Sequence, residues 1–363
     1  MRIIAALLAI TLALPACVSE TKAPLQPDQG LLEAAETLRA EGEIPALTLA
    51  EFTCKSRKVA WSGLRRAGFQ DAIDPNTRFA IGSNAKSMLA TAAVRLGVDL
   101  DRPLSDLWPE MVESRPDKSG ITLRQLLSHS SGLPAFDTGS ELESVPDFED
   151  DARLAALGAA EWFLDQPLIE NPGTRTVYSN AGYVVAGAIL EHVYGTSFDV
   201  LIEQEVFNPL SLQAGFGEPR HFDPPTYGHY VEGGSVKAYS DPEPPIPPFL
   251  EAAGNIHLPV NSYVTYLQAH LCGLQGLETG FLSGDAFKEM HTPTLEGGSG
   301  LGWGISELGG ATTSFHIGGT GDFTAFAALA PERDRGVAAL MNVGGAPASP
   351  VQAWVVEMMS ETP

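Results

Sequence analysis

Positive charge is scarce in this chain. Its 363 residues hold 22 lysines and arginines against 45 aspartates and glutamates, a formal net charge of −23. No long basic tract interrupts that background, and phosphate contact needs clustered lysine and arginine, so the sequence argues against a nucleic-acid partner. Cysteine is scarcer still, at three residues. Neither C-x-x-C nor H-x-x-x-H occurs, so nothing supports a metal site, and no motif calls for a cofactor. A membrane-spanning run is also missing. The apolar stretch over residues 3–14, interrupted only by Thr11, falls short of the roughly 20 residues that a hydrocarbon core requires.

What is present at the N-terminus is MRIIAALLAITLALPACVSE. Arg2 followed by an apolar run reads as a signal peptide over residues 1–16, which takes no part in the fold. Leu14-Pro15-Ala16-Cys17 resembles the lipobox of bacterial lipoproteins, although Pro15 departs from it. That resemblance implies that Cys17 is lipidated and becomes the mature N-terminus, with ordinary cleavage after Ser19 as the competing reading. The protein is then exported to the bacterial envelope, facing the periplasm or the outer surface. Its only membrane contact is the lipid, and two or more acyl chains are needed for stable anchoring. Residues 17–30, with Pro24, Pro27 and Gly30, form the tether. Cys54 and Cys272 could pair in an exported protein, but nothing local brings them together. Cys272 ends the apolar stretch YVTYLQAHLCG and reads as a buried small hydrophobe.

The remaining pattern is α+β. LLEAAETLRAEG is a helix with Leu31, Ala35 and Leu38 on one face and Gly42 as its stop signal. ALTLAEFTCKSRKVAWSGL alternates around a basic turn, as two antiparallel strands do. Residues 83–295 read as mostly helical, broken by loops, among them an acidic one over 136–151. A second, SDPEPPIPPF, holds five prolines and is expected to be extended and stiff. After residue 300, TSFHIGGTGDFTAFAALAPERDRGVAALMNVG reads as strands turning at residues 331–335, before a last helix, VQAWVVEMM. The expected architecture is an αβ sandwich: an antiparallel sheet domain over 31–82 and 296–363, flanked by helices, with the helical region 83–295 inserted. The active site is expected at their junction, in a monomer.

FAIGSNAKSMLATAAVRL, residues 79–96, places a lysine in the first turn of an otherwise apolar helix, three positions after a serine. With Ser83 as the first helical residue, Ser83, Lys86, Ala90 and Val94 share one face. A lysine there is partly desolvated, which lowers its pKa, and a serine hydroxyl needs such a neighbour to become a nucleophile. Spacing alone decides nothing, since Ser19 and Lys22 repeat it in the tether.

Two further motifs give it weight: Tyr178-Ser179-Asn180 and His316-Ile317-Gly318. In this order the three motifs resemble the serine β-lactamase and penicillin-binding-protein superfamily, specifically its class C branch. ITLRQLLSHSSGLP, PGTRTVYSN, GLGWG and HIGGTGDFTAFAALAPERDRGVAAL are similar to family segments as well, so the resemblance covers about residues 31 to 345. It implies a β-lactamase/transpeptidase-like fold and acyl transfer at Ser83, with Lys86 and Tyr178 sharing the proton work. Either could be the resting base, but tyrosine only if cations such as Lys86 lower its pKa. Asn180 is expected to bond Lys86 or the substrate amide. The oxyanion is expected between the N–H groups of Ser83 and Gly319, beside His316 and Gly318. His129 reads as a structural cap.

The third motif departs from the Lys-Thr-Gly usual in β-lactamases, and histidine has no fixed charge at neutral pH. The resemblance therefore implies a D-peptidase or carboxypeptidase acting on D-amino-acid, cell-wall-type peptides. A carboxylesterase is the alternative, which Asp322 beside the motif favours, and a β-lactamase comes behind both. A non-catalytic envelope binding protein is the reading from a different class. The partner is a small-molecule or peptide substrate.

Overall fold

The computed structural model describes residues 25–148, 151–239 and 246–361. The signal peptide, Cys17, Ser19 and Lys22 lie outside the described residues, as do positions 240–245 of the proline-rich loop. The described end of that loop closes in a 3₁₀ turn, Pro248–Leu250.

Helix α1 (Gln29–Gly42) buries Leu31, Ala35 and Leu38, and the Asp28 carboxylate caps its N-terminus on the Leu31 N–H. Strands β1 (Ala46–Phe52) and β2 (Arg57–Gly63) pair antiparallel, with Leu49 opposite Ala60. The chain then enters β3 (Phe79–Ala80) and helix α2 (Ala85–Arg95). Strands β4 (Gly215–Phe216), β5 (His229–Glu232), β6 (Ser235–Ala238) and β7 (Ile256–Leu258) interrupt the helical region. At the C-terminal end stand β8 (Gly304–Leu308), β9 (Ala311–Gly319), β10 (Thr324–Ala330) and β11 (Arg335–Met341).

Six of these strands form one antiparallel sheet in the order β2-β1-β11-β10-β9-β8. Its central strands are buried on both faces, and the two-residue period of a strand sorts their side chains into two cores. Leu47, Leu49, Phe326, Ala328, Val337, Ala339 and Met341 pack beneath α1 and the last helix, Ser349–Ser360. Ala50, Phe52, Ala325, Ala327, Leu329, Ala338 and Leu340 face the helical region instead. Each large apolar side chain so buried contributes about 1.5–3 kcal/mol. The fold is the expected α+β arrangement of an antiparallel sheet with helices on both sides.

Two features differ from the sequence reading. The stretch read as mostly helical holds β4 and β7, which join β3 in a three-stranded sheet, β3-β7-β4, and the hairpin β5-β6. Strands of two to four residues are too short to show a readable period. The second feature is a disulfide between Cys54 and Cys272, 218 residues apart, with their Cα atoms 5.3 Å from each other. Cys272 is therefore not an isolated hydrophobe. Helix Val260–Leu274 lies close beside the β1-β2 turn, where Gln268 Nε2 donates to the carbonyls of Thr53 (2.6 Å) and Ser56 (3.0 Å). That packing, not local sequence, brings the two sulfurs together.

Candidate active site

Strand β3 delivers the chain into the site. It pairs with β7, and the Ile81 N–H donates to the Ile256 carbonyl at 3.0 Å. Ser83 then sits in a single 3₁₀ turn, Gly82–Asn84, and α2 begins only at Ala85. This corrects its placement as the first residue of the helix. The turn is clamped onto the sheet: Asn84 Nδ2 donates to the Ala325 carbonyl of β10 at 3.1 Å. Gly82 adopts φ +50, and a Cβ there would lie 2.6 Å from the Gly319 nitrogen. A Cβ on Gly318 would come within 2.0 Å of the Ile81 carbonyl oxygen. Gly82 and Gly318 are needed because two backbones meet there with no room for either side chain.

Lys86 is fully buried, with its ammonium nitrogen 3.0 Å from Ser83 Oγ and 2.6 Å from the Ala253 carbonyl. It also lies over the rings of Tyr178 and Tyr183, at 5.1 and 5.4 Å from their centroids. Burial lowers its pKa from 10.5 to about 7, against an opposing pull from the Asp137 carboxylate. Tyr178 Oη donates to Ser83 Oγ at 2.7 Å. Burial pushes this phenol above its usual value, and the bond to Ser83 offsets only part of the rise. The sequence argument required Lys86 to lower it; a lysine whose own charge is suppressed by burial cannot do so. Of the two candidate bases, Lys86 alone has a pKa suited to accepting a proton near neutrality.

Asn180 opens helix Asn180–Tyr194, and the hydrogen bonds of Lys86 go to Ser83 and Ala253 instead. Its Nδ2 donates to the Phe136 carbonyl at 2.8 Å, and its N–H donates to Ala135 at 2.8 Å. His316 is buried, and its Nδ1 lies 2.7 Å from the Gly302 carbonyl. A carbonyl only accepts, so Nδ1 carries the proton and Nε2 is left as an acceptor. Burial depresses the His316 pKa to about 4, so the ring is neutral at pH 7. With His129, Tyr178, Ser299, Trp303, Gly304, Phe315 and Ile317 it walls a cavity of about 180 Å³. Asp322 does not face that cavity. It is buried against Gly228, takes a bond from Thr320 Oγ1 at 2.6 Å, and burial raises it to about 6.

His129 does more than the sequence assigned to it. Held at φ +59, it accepts the Ser179 N–H on Nδ1 at 3.1 Å, while its carbonyl accepts from Val177 at 2.7 Å. Its ring stands 4.5 Å from that of Tyr178. It closes helix Leu123–Leu127 as expected, its left-handed backbone letting the Ser130 N–H return to the Gln125 carbonyl at 2.8 Å, and it also fixes the segment that carries the tyrosine. The Ala253 carbonyl and Phe136 were also missed, the first because a backbone acceptor leaves no mark in residue type. Among the described residues, no group of three or more His, Cys, Asp and Glu side chains is placed to hold a metal.

Comparison with known proteins gives the family and the fold. The model of the β-lactamase family matches residues 32–357. Penicillin-binding protein 4 of Amycolatopsis lactamdurans is 26% identical over 339 residues, covering 86% of this chain and 84% of the relative. A putative penicillin-binding protein of Bacillus subtilis is 26% identical over 64% of this chain, which spans only 55% of that protein. Among solved structures, the D-amino acid amidase of Ochrobactrum anthropi bound to L-phenylalanine amide shares the fold with a TM-score of 0.73 and 22% identity. That match covers 90% of this chain and 96% of the amidase. EstCE1, a hydrolase with promiscuous acyltransferase activity, matches with a TM-score of 0.75 and 18% identity over 91% of this chain and 97% of its own. The chain belongs to the β-lactamase family and is a serine hydrolase of the β-lactamase and penicillin-binding-protein kind.

Proposed function

We propose that this protein is an exported, lipid-anchored, monomeric hydrolase that forms an acyl-enzyme on Ser83 and cleaves D-amino-acid peptides and amides of the cell-wall type. The observation that carries the reading is the Tyr178 Oη, Ser83 Oγ, Lys86 Nζ chain, with a lysine pKa near 7. Neutral Lys86 takes the Ser83 hydroxyl proton as Oγ attacks the carbonyl carbon. The N–H groups of Ser83 and Gly319 receive the oxyanion. Tyr178 gives its proton to the departing nitrogen or oxygen, and the Lys86 ammonium restores it. Water then attacks the ester and yields its proton to Lys86, Ser83 Oγ leaves with the proton from Tyr178, and the Lys86 ammonium again restores the phenol.

A neutral His316 supplies no cation for a terminal carboxylate, which favours an uncharged leaving group over a free D-alanine. The likeness in fold to a D-amino acid amidase supports the choice of acyl group. A carboxylesterase is the second reading, favoured by Trp303, Phe315 and Ile317 around the cavity beside His316. The test compares kcat/KM for a D-alanine amide, a peptide ending in two D-alanines and a short-chain nitrophenyl ester, with Ser83→Ala as the blank. Amide or peptide turnover well above the blank is expected. Ester turnover alone would replace the first reading with the second, and no turnover above the blank would leave a binding protein.

A further inference from the structure

The segment from Pro134 to Asp137 runs beside Tyr178-Ser179-Asn180. Ser179 Oγ donates to the Pro134 carbonyl at 2.7 Å, and Asn180 donates to Ala135 and to Phe136, both at 2.8 Å. Phe136 adopts φ +48 and buries its ring against Trp162 and Phe163. A bulky residue rarely holds that conformation, and here the three bonds and the ring packing enforce it. The turn leaves the next residue, Asp137, exposed beside the segment that carries Tyr178 and Asn180.

Asp137 is held in place by its backbone. Its N–H donates to Glu141 Oε2 at 3.0 Å, within a capping box formed by Thr138 and Glu141. Its own carboxylate has no partner among the described residues, yet its charge acts on both Lys86 and Tyr178. No lysine or arginine lines the cavity beside His316, and Asp137 is not part of that wall. The two ends of a substrate therefore meet different groups: an uncharged cavity next to Tyr178, and an unpaired carboxylate on the side of Asn180.

We propose that Asp137 anchors a cationic ammonium on the acyl part of the substrate. The enzyme would then select amides or esters whose scissile carbonyl belongs to an amino acid with a free amino group. This rests on the acyl-enzyme reading and narrows it to acyl groups with an unblocked amine: D-amino-acid amides and peptides cut after an N-terminal D-residue, and not longer wall peptides ending in two D-alanines, whose acyl residue is N-acylated. Such an ammonium, two bonds from the carbonyl carbon, would lie towards Asp137 while Ser83 attacks.

The experiment compares kcat/KM for D-alanine p-nitroanilide and N-acetyl-D-alanine p-nitroanilide at pH 7, with the matching nitrophenyl esters in parallel. Wild type should favour the free amine by about tenfold or more, the scale of one hydrogen bond to a charged group. That ratio should collapse in Asp137→Asn and invert in Asp137→Lys, with melting temperatures recorded for both. Raising the salt should erode it in the wild type, a check that needs no variant. A wild-type ratio at or below one, or a ratio unmoved by both substitutions, overturns the proposal. Turnover of the esters alone would defeat the D-peptide reading while the ester ratio still tested Asp137.

Discussion

Replacing Lys86 by methionine should make the protein more stable and nearly inactive. Burial brings this lysine from 10.5 to about 7. At about 1.4 kcal/mol per pH unit, holding it in the folded chain at neutral pH costs on the order of 5 kcal/mol. Methionine has a similar length, adapts to irregular cavities and carries no charge. The substitution deprives the Ala253 carbonyl of its donor, a loss of about 1–3 kcal/mol. The net expectation is a gain of about 2–3 kcal/mol near pH 7, visible as a clear rise in melting temperature.

The pH dependence makes the argument specific. The folded value lies below the unfolded one, so unfolding takes up a proton between about pH 7 and 10.5. Wild-type stability therefore rises with pH across that window, whereas the methionine variant lacks this contribution. The penalty on wild type is full below pH 7 and falls to about 1 kcal/mol by pH 10, where the order of stabilities should reverse. Melting curves of both proteins from pH 6 to 10 test this. In wild type, kcat/KM should fall about tenfold per pH unit below 7, and the variant should lose about 10²–10⁴ in rate. A stability gap that does not change with pH, or a rate profile inflecting near 10, would refute the buried neutral lysine.

Two further outcomes are expected. Gly318→Ala places a Cβ 2.0 Å from the Ile81 carbonyl, so it should lower the melting temperature and reduce kcat/KM at least about tenfold; unchanged kinetics would mean that the turn carrying Ser83 does not depend on that approach. Opening the Cys54–Cys272 bridge, by reduction or by Cys54→Ser with Cys272→Ser, should cost on the order of 2–4 kcal/mol because it closes a 218-residue separation; a denaturation midpoint unmoved by reductant would count against the bridge.

What the sequence made legible was carried by local spacing. Strands β1, β10 and β11 alternate their side chains between two cores, and S-x-x-K brings Lys86 to Ser83 even though a 3₁₀ turn replaces the expected first turn of helix. What it concealed was decided by partners distant in the chain. Cys272 pairs because helix Val260–Leu274 lies beside the β1-β2 turn. Asn180 Nδ2 is turned towards the Phe136 carbonyl because residues 134–137 return alongside it. Two points of chemistry that the sequence left open have the same origin. Residue types alone did not decide between Lys86 and Tyr178 as the base, nor fix the charge of His316. The Ala253 carbonyl, the surrounding aromatic rings and the Gly302 carbonyl set both groups instead, and none of these was marked by a motif. Burial favours the neutral form of each group, fully for His316 and about half for Lys86 at pH 7, and a backbone carbonyl that accepts one N–H leaves a nitrogen lone pair free. On Lys86 that lone pair meets the nucleophile, and on His316 it leaves an uncharged cavity wall next to the tyrosine. The catalytic trio was readable from spacing, whereas its proton inventory, on which substrate choice depends, was fixed by backbone atoms.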